Sequence, residues 1–303
     1  MRSIDFLIIL FFLVIVLISS SFVYQFYAAG FQGYREYKTD VDFNISGKIQ
    51  FYSNMRYKDK EIKYSFDPFC SKKRMEDIDR AFLLLEDKTI LKFIKVGEYA
   101  DIEVLCSDIV PEIEERGHYV AGEGGPSEVI QAGIYNVILH GKISLFRNER
   151  CESPQIALHE ILHALGFDHN SDKNSILYPI TECNQIIDLY ILDKIESLYS
   201  LDSVPDLIVD EFRVAGSGRY INLKISVLNG GFMDSGESVL KIYADDKEIK
   251  EINSKGIEIG TRRIFDVENL RLPLGNLNKI SVVVFYENRE LGKQNNMAEI
   301  KLD

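Results

Sequence analysis

The sequence has no surplus of positive charge. Its 303 residues carry 35 Lys and Arg against 47 Asp and Glu, a net charge of -12. Broad nucleic-acid binding needs a basic face to neutralise phosphates, so that class is excluded and no nucleic-acid partner is expected. The chain also lacks the composition of a disordered or fibrous protein: 46% of its residues are hydrophobic, and its length is enough for two cores of ordinary domain size. Cysteine is scarce. Cys70, Cys106, Cys151 and Cys183 are the only four, and none lies in a C-x-x-C pair. In an exported protein an even, localised set reads as two disulfides, with buried free thiols as the alternative. Of the possible pairings, Cys70 with Cys106 and Cys151 with Cys183 are expected, because each would tie neighbouring parts of one subdomain.

Charge is absent from Phe6 to Tyr34, and Phe6 to Ile18 is an unbroken apolar run. Such a segment is directed to a bilayer. An uncleaved transmembrane anchor is expected, since Phe22, Val23, Tyr24, Phe26 and Tyr27 extend the run toward the ~20 residues that a spanning helix needs. The competing reading is a cleaved signal segment, with Ala28-Ala29-Gly30 as its small-residue site. In both cases the rest of the chain lies outside the cytoplasm, membrane-anchored in the first and secreted if residues 1–29 are removed.

Residues 31–60 are polar, Tyr-rich and irregular, and read as a stalk or a short strand leading away from the membrane. Regular patterning begins after them. Ile62 to Phe66 alternates like a strand and ends at Asp67-Pro68. Ser71 caps a helix whose Met75, Ile78, Ala81, Phe82 and Leu85 form one apolar face. Strand-like runs follow at Ile90 to Val96 and Ala100 to Cys106, then a Gly-rich loop from Gly117 to Gly125, then β-prone runs at Ile134 to Leu139 and Lys142 to Phe146. The spacing predicts a second helix with Ser153 as N-cap, Pro154 as first residue and Gly166 at its exit. A third is predicted from about Asn184 to Tyr199, with Ile187, Ile191, Ile195 and Leu198 on its core face. This order implies a mixed α/β sheet with helices packed on it. From Ser203-Val204-Pro205 onward the helical pattern stops. Short alternating runs, Tyr220 to Val227, Ser238 to Ala244, Ile264 to Val267 and Ile280 to Tyr286, point to an antiparallel sandwich without a catalytic cluster.

The chain has five histidines, and three of them, His159, His163 and His169, fall within eleven residues. On a helix, positions i and i+4 share a face, so His159 and His163 can address one metal ion with Glu160 beside them. Gly166 can take the positive φ that turns the chain and returns His169 as a third ligand. Three neutral imidazoles suit one Zn²⁺ and leave a fourth position for water, which is a catalytic ligand set. Glu160 is then the expected general base for metal-assisted hydrolysis. A bare H-E-x-x-H is only suggestive, and the extension through Gly166 and His169 gives the pattern its specificity. His118 and His140 are expected to be ordinary surface or hydrogen-bonded residues. Asp168 is expected to face solvent or support a neighbouring ligand.

These eleven residues resemble the zinc signature of the metzincin metallopeptidases. Further stretches resemble the matrixin branch: Ile62 to Phe66, Ala81-Phe82, Ala100 to Val104 and Asp193 to Tyr199. Ser175-Ile176-Leu177-Tyr178-Pro179 resembles the turn that lies beneath the zinc in that family, with Leu177 where the family has methionine, so Leu177, Tyr178 and Pro179 are implied as a site-supporting turn. Leu and Met have similar volume, so the apolar floor is expected to survive. Thr181 stands where matrixins usually place a tyrosine of the specificity pocket. No cysteine precedes Cys70, so latency through the family's cysteine switch is not expected. Pro205-Asp206-Leu207, Val227 to Gly231 and Asn295-Asn296 are similar to the CARDB type of surface module, which implies an immunoglobulin-like spacer or a domain that binds a surface partner.

The resemblance implies an α+β metzincin-like catalytic domain with three helices, followed by an all-β immunoglobulin-like sandwich. The expected divisions are 1–30 anchor or signal, 31–60 stalk, 61–202 zinc metallopeptidase and 203–303 sandwich. The function implied is a zinc-dependent endopeptidase acting on extracytoplasmic proteins or peptides, with structural Ca²⁺ allowed for. The alternative is a surface adhesion or substrate-capture protein whose metallopeptidase-like domain is inactive.

Overall fold

The computed structural model describes residues 49–109, 120–217, 219–273 and 277–302. The expected anchor, most of the expected stalk and His118 lie outside these residues. Among the described residues no helix is long and apolar enough to cross a membrane.

Among the described residues, the first half is built on a mixed sheet carrying three helices. Its strands are β1 (Met55–Tyr57), β2 (Glu61–Phe66), β3 (Lys92–Lys95), β4 (Ile102–Cys106), β5 (Gly122–Ala132) and β6 (Tyr135–Leu145), and its helices are α1 (Lys72–Lys88), α2 (Gln155–Ala164) and α3 (Leu189–Tyr199). Strands β3, β2, β4 and β6 lie side by side in parallel, β1 joins β6 in parallel, and β5 alone is antiparallel. Ser71 caps α1 by accepting a hydrogen bond from Arg74 N at 3.4 Å. The α1 face of Ile78, Ala81, Phe82 and Leu85 is buried against Ile62, Ile102, Val104 and Ile143 in one core with the apolar side of α2. The two disulfides are Cys70–Cys106 and Cys151–Cys183, as expected.

Several expectations need correction. Residues 49–60 are part of the fold and not of a stalk, because Met55, Arg56 and Tyr57 are all buried as β1 pairs with β6. The glycines at 122, 124 and 125 lie in strand β5 and not in a loop. The two runs at 134–139 and 142–146 are one strand, β6, with Gly141 in its interior. Helix α2 begins one residue later than predicted, and Ser153 does not cap it. Instead Glu149 supplies a carboxylate from outside the helix: its Oε2 accepts from Ile156 N at 2.9 Å, favoured by the positive end of the helix dipole. Helix α3 starts at Leu189, since Ser175 and Ile186 form a β-bridge that holds the preceding residues extended.

The second half is a two-sheet sandwich. Strands β7 (Leu207–Ser217), β8 (Tyr220–Asn229) and β11 (Arg262–Arg271) form one sheet; β9 (Ser238–Ala244), β10 (Lys247–Ser254), β12 (Lys279–Phe285) and β13 (Met297–Lys301) form the other. Alternate residues such as Leu223, Ile225, Leu240, Ile242, Ile280 and Val282 fill the space between the sheets. The motif residues singled out in the sequence tie its entry strand in place. Asn229 Oδ1 accepts from Asp206 N and Gly231 N, both at 3.1 Å, and Asn295 Nδ2 donates to Asp206 Oδ2 at 2.9 Å.

A third, smaller core joins the halves. Ala132 and Val137 from the β5–β6 hairpin are buried with Phe232 and Ile259 from the sandwich. Arg56 lies beneath, its guanidinium 3.9 Å from the Phe232 ring centroid and 4.8 Å from that of Tyr199.

Candidate metal centre

Helix α2 places His159 and His163 one turn apart, and Gly166 with φ of 93° turns the chain out of the helix. That turn is held from outside: Phe51 N donates to Gly166 O at 3.0 Å, and Asp168 N donates to Ile49 O at 3.1 Å. The strand-like pairing of residues 49–51 with 166–168 therefore fixes the stretch that delivers His169. The Phe51 ring lies 5.7 Å from that of His163.

The three imidazoles converge. The Nε2 atoms of His159 and His163 are 3.0 Å apart, those of His163 and His169 3.1 Å, and those of His159 and His169 3.2 Å. His159 Nδ1 lies 2.6 Å from Ile176 O, and His163 Nδ1 lies 2.7 Å from Phe167 O. A carbonyl can only accept, so each Nδ1 carries the proton and each Nε2 presents a lone pair. Lone pairs facing one another at this distance repel unless a cation lies among them. Ligands about 2.0–2.1 Å from a tetrahedral Zn²⁺ would stand roughly 3.3 Å apart, so the observed spacing fits. Burial, first of all, lowers the pKa of His159 to about 3 and also lowers those of His163 and His169, which keeps the rings neutral and able to bind metal. Among the described residues no second group of three such side chains gathers, so the allowance for structural Ca²⁺ finds no acidic cluster.

Glu160 is 6% exposed. Burial, with Glu123 nearby, raises its pKa to about 8. Strand β5 covers it: a Cβ added to Gly122 would lie 2.8 Å from Glu160 Cγ. These glycines were not recognised as site residues from the sequence, although small residues at alternate strand positions signal close approach of another element. The Glu149 cap had no local signal at all. Leu177 is buried in the core, its N–H donating to Ser175 Oγ at 3.0 Å. The neighbouring Ile176 supplies the carbonyl that orients His159. Half-buried Tyr178 donates its N–H to Ser175 O at 3.1 Å, and Pro179 follows it, exposed, at the end of the turn. Asp168 does not face the metal position; its Oδ1 accepts from His169 N at 2.8 Å. His140 is exposed, 3.8 Å from Glu128, away from this group.

The family model described as Matrixin matches residues 56–200. The chain carries a matrixin-like domain. The match covers β1 through α3 and includes every residue of the converging histidine group. Among curated proteins none matches the chain. Solved structures match about a third of the chain. The CARDB domain of a Pyrococcus furiosus protein, solved in complex with di-metal ions, is 20% identical, covers 33% of this chain and 92% of its own length, and has a TM-score of 0.29. The solution structure of that domain gives the same identity and TM-score over 94% of its length. A Methanosarcina acetivorans domain is 17% identical over 33% of this chain and 90% of its own, also with a TM-score of 0.29. Beside the matrixin-like domain, the seven-stranded sandwich stands on the strand pairing described above.

Proposed function

We propose that this chain is a zinc-dependent endopeptidase in which His159, His163 and His169 hold one catalytic zinc ion and Glu160 is the general base. The observation that carries the reading is the convergence of three imidazole Nε2 atoms, with the buried Glu160 next to His159 on the same helix. Bound Zn²⁺ would supply a Lewis acid that acidifies water and polarises a carbonyl. The chain's own residues do the rest. Ile176 O and Phe167 O hold the rings of His159 and His163 in the ligating tautomer. Glu160, ionised once a dication offsets its burial, takes a proton from the attacking water and returns it to the leaving amine. The Gly122–Gly125 segment shields Glu160 from bulk water.

The substrate class follows from β5. That strand pairs with β6 on one side and, among the described residues, with no strand on the other. An extended peptide can add to such a free edge through main-chain hydrogen bonds, with little demand on sequence. A cavity of about 400 Å³ opens alongside, lined by Phe51, Met55, Pro126, Val129 and Asp168, and accepts an apolar side chain. We place the active region at 61–202, extended at its start by 49–60, and the sandwich at 203–303. The two disulfides support an extracytoplasmic setting, and residues 1–30 are proposed as the membrane tether.

Metal analysis of the purified chain should find one zinc ion, lost in His163→Ala. Cleavage of a generic protein substrate should stop with chelator and in Glu160→Ala. Bound zinc without chelator-sensitive cleavage would overturn the enzyme reading and leave a substrate-capture protein.

A further inference from the structure

The β5–β6 hairpin links the metal centre to the sandwich. Its strands close at the pair Ala132 and Tyr135, with Gly133 and Ile134 as the two-residue turn. In such a hairpin the closing pair exchanges both hydrogen bonds, so the next residue back, Gln131, directs its N–H and C=O away from the partner strand. The Gln131 carbonyl therefore lies on the free edge of β5. Gly260 of the sandwich is seated against it: a Cβ on Gly260 would lie 2.6 Å from Gln131 O and 3.7 Å from Ile130 Cδ1.

The turn that carries Gly260 is firmly held. Gly260 N donates to Asn229 O at 2.9 Å, Asn229 N donates to Thr261 O at 3.0 Å, and Ile259 N donates to Asp234 Oδ1 at 3.0 Å. Behind it Ile259 is buried with Ala132, Val137 and Phe232. Glu258 and Thr261 remain exposed on either side. The same edge begins at Gly122–Gly124 beside Glu160. From Gly124 to Gln131 is about seven residues, or roughly 23 Å of strand. The register shifts around Glu128 bend the edge between these points.

We infer that the turn Glu258–Thr261 is the end wall of the substrate groove, so that the sandwich is part of the peptide-binding surface. This inference rests on the endopeptidase reading and adds to it. An extended substrate lies along β5 for about six or seven residues on one side of the scissile bond, then meets the sandwich and must end or turn aside. The other side of the scissile bond has no such limit.

The test uses the zinc-loaded full chain and a peptide that the parent cleaves. In the Glu160→Gln chain, which holds the peptide without turnover, a benzoylphenylalanine is moved stepwise along the peptide and the cross-linked fragments are sequenced. Near the scissile bond it should label residues 122–125; about six or seven residues to one side it should label residues 256–262. In the active full chain, Glu258→Trp should lower kcat/KM for peptides that reach the wall and leave it unchanged for shorter ones. If the edge strand is labelled but no position labels residues 256–262, the wall is wrong and the peptidase reading stands. If the parent cleaves no peptide, both fall.

Discussion

Gly124 lies so close to Glu160 that a Cβ on Gly124 would sit 2.9 Å from the Glu160 Cα and overlap its carbonyl oxygen. The neighbour is backbone and cannot rotate away. Gly124→Ala must therefore push β5 off α2, and is expected to cost about 1–3 kcal/mol of stability and at least about tenfold in kcat/KM. Gly125→Ala is the control, because no atom lies within 4 Å of a Cβ built there. Equal losses in urea titration and activity for both variants would sink the close-approach explanation.

Arg56 is wholly buried. Its guanidinium donates to Tyr57 O at 2.9 Å, Leu198 O at 2.5 Å, Leu201 O at 3.2 Å and Lys58 O at 3.1 Å. It also stacks between Tyr199 and Phe232, tying the sheet, the end of α3 and the sandwich together. Lysine lacks the planar fork and cannot reach these carbonyls at once. Arg56→Lys is expected to destabilise the chain by about 3–5 kcal/mol in denaturant titration, since it leaves a buried charge and unpaired carbonyls. A loss under about 1 kcal/mol would contradict this role.

The disulfide Cys151–Cys183 closes a loop with a sequence separation of 32 that contains all three histidines and Leu177. Replacing both cysteines with serine should cost about 3–4 kcal/mol of stability and weaken zinc binding as well. Removing Cys70–Cys106, which ties the start of α1 to β4, should cost similar stability with zinc affinity retained. Zinc titration of the two variants checks the contrast, and equal affinities would refute it.

Asp206 is buried where the sandwich begins, and burial is the main cause that raises its pKa from 3.8 to about 6. A carboxyl whose folded pKa is raised stabilises the fold below its unfolded value, and that contribution is lost as pH rises through the folded value. The parent should therefore lose stability from this group between about pH 4 and pH 6. Asp206→Asn removes the titration, so the stability difference should move in the variant's favour by up to about 3 kcal/mol between about pH 4 and pH 7. Urea unfolding of both proteins at the two pH values measures it, and a difference independent of pH would refute it.

Leu177→Met should change stability by less than about 1.5 kcal/mol, because the volumes match, whereas Leu177→Ala should cost about 2–5 kcal/mol through the cavity it leaves. Thermal unfolding separates the two. A large loss with methionine would mean that the core at this position is shaped for leucine alone.

The sequence by itself determined what is local. The i, i+4 spacing of His159 and His163 sets two imidazoles on one helical face, and Gly166 permits the turn toward His169, so the ligand set was legible from eleven consecutive residues. The apolar face of α1 and the alternation in β9 and β12 were legible for the same reason, since one helical or strand period covers them. Only the tertiary structure decided what depends on residues far apart in the chain. Glu149 caps α2 from outside it, residues 49–51 pair with 166–168, Gly124 meets the backbone of Glu160, and Gly260 rests on Gln131. No sequence period links these pairs, because each contact is made only when separate elements pack. That packing is also what turned an apparent Gly-rich loop into the edge strand covering Glu160, and what moved the end of an expected stalk into the core.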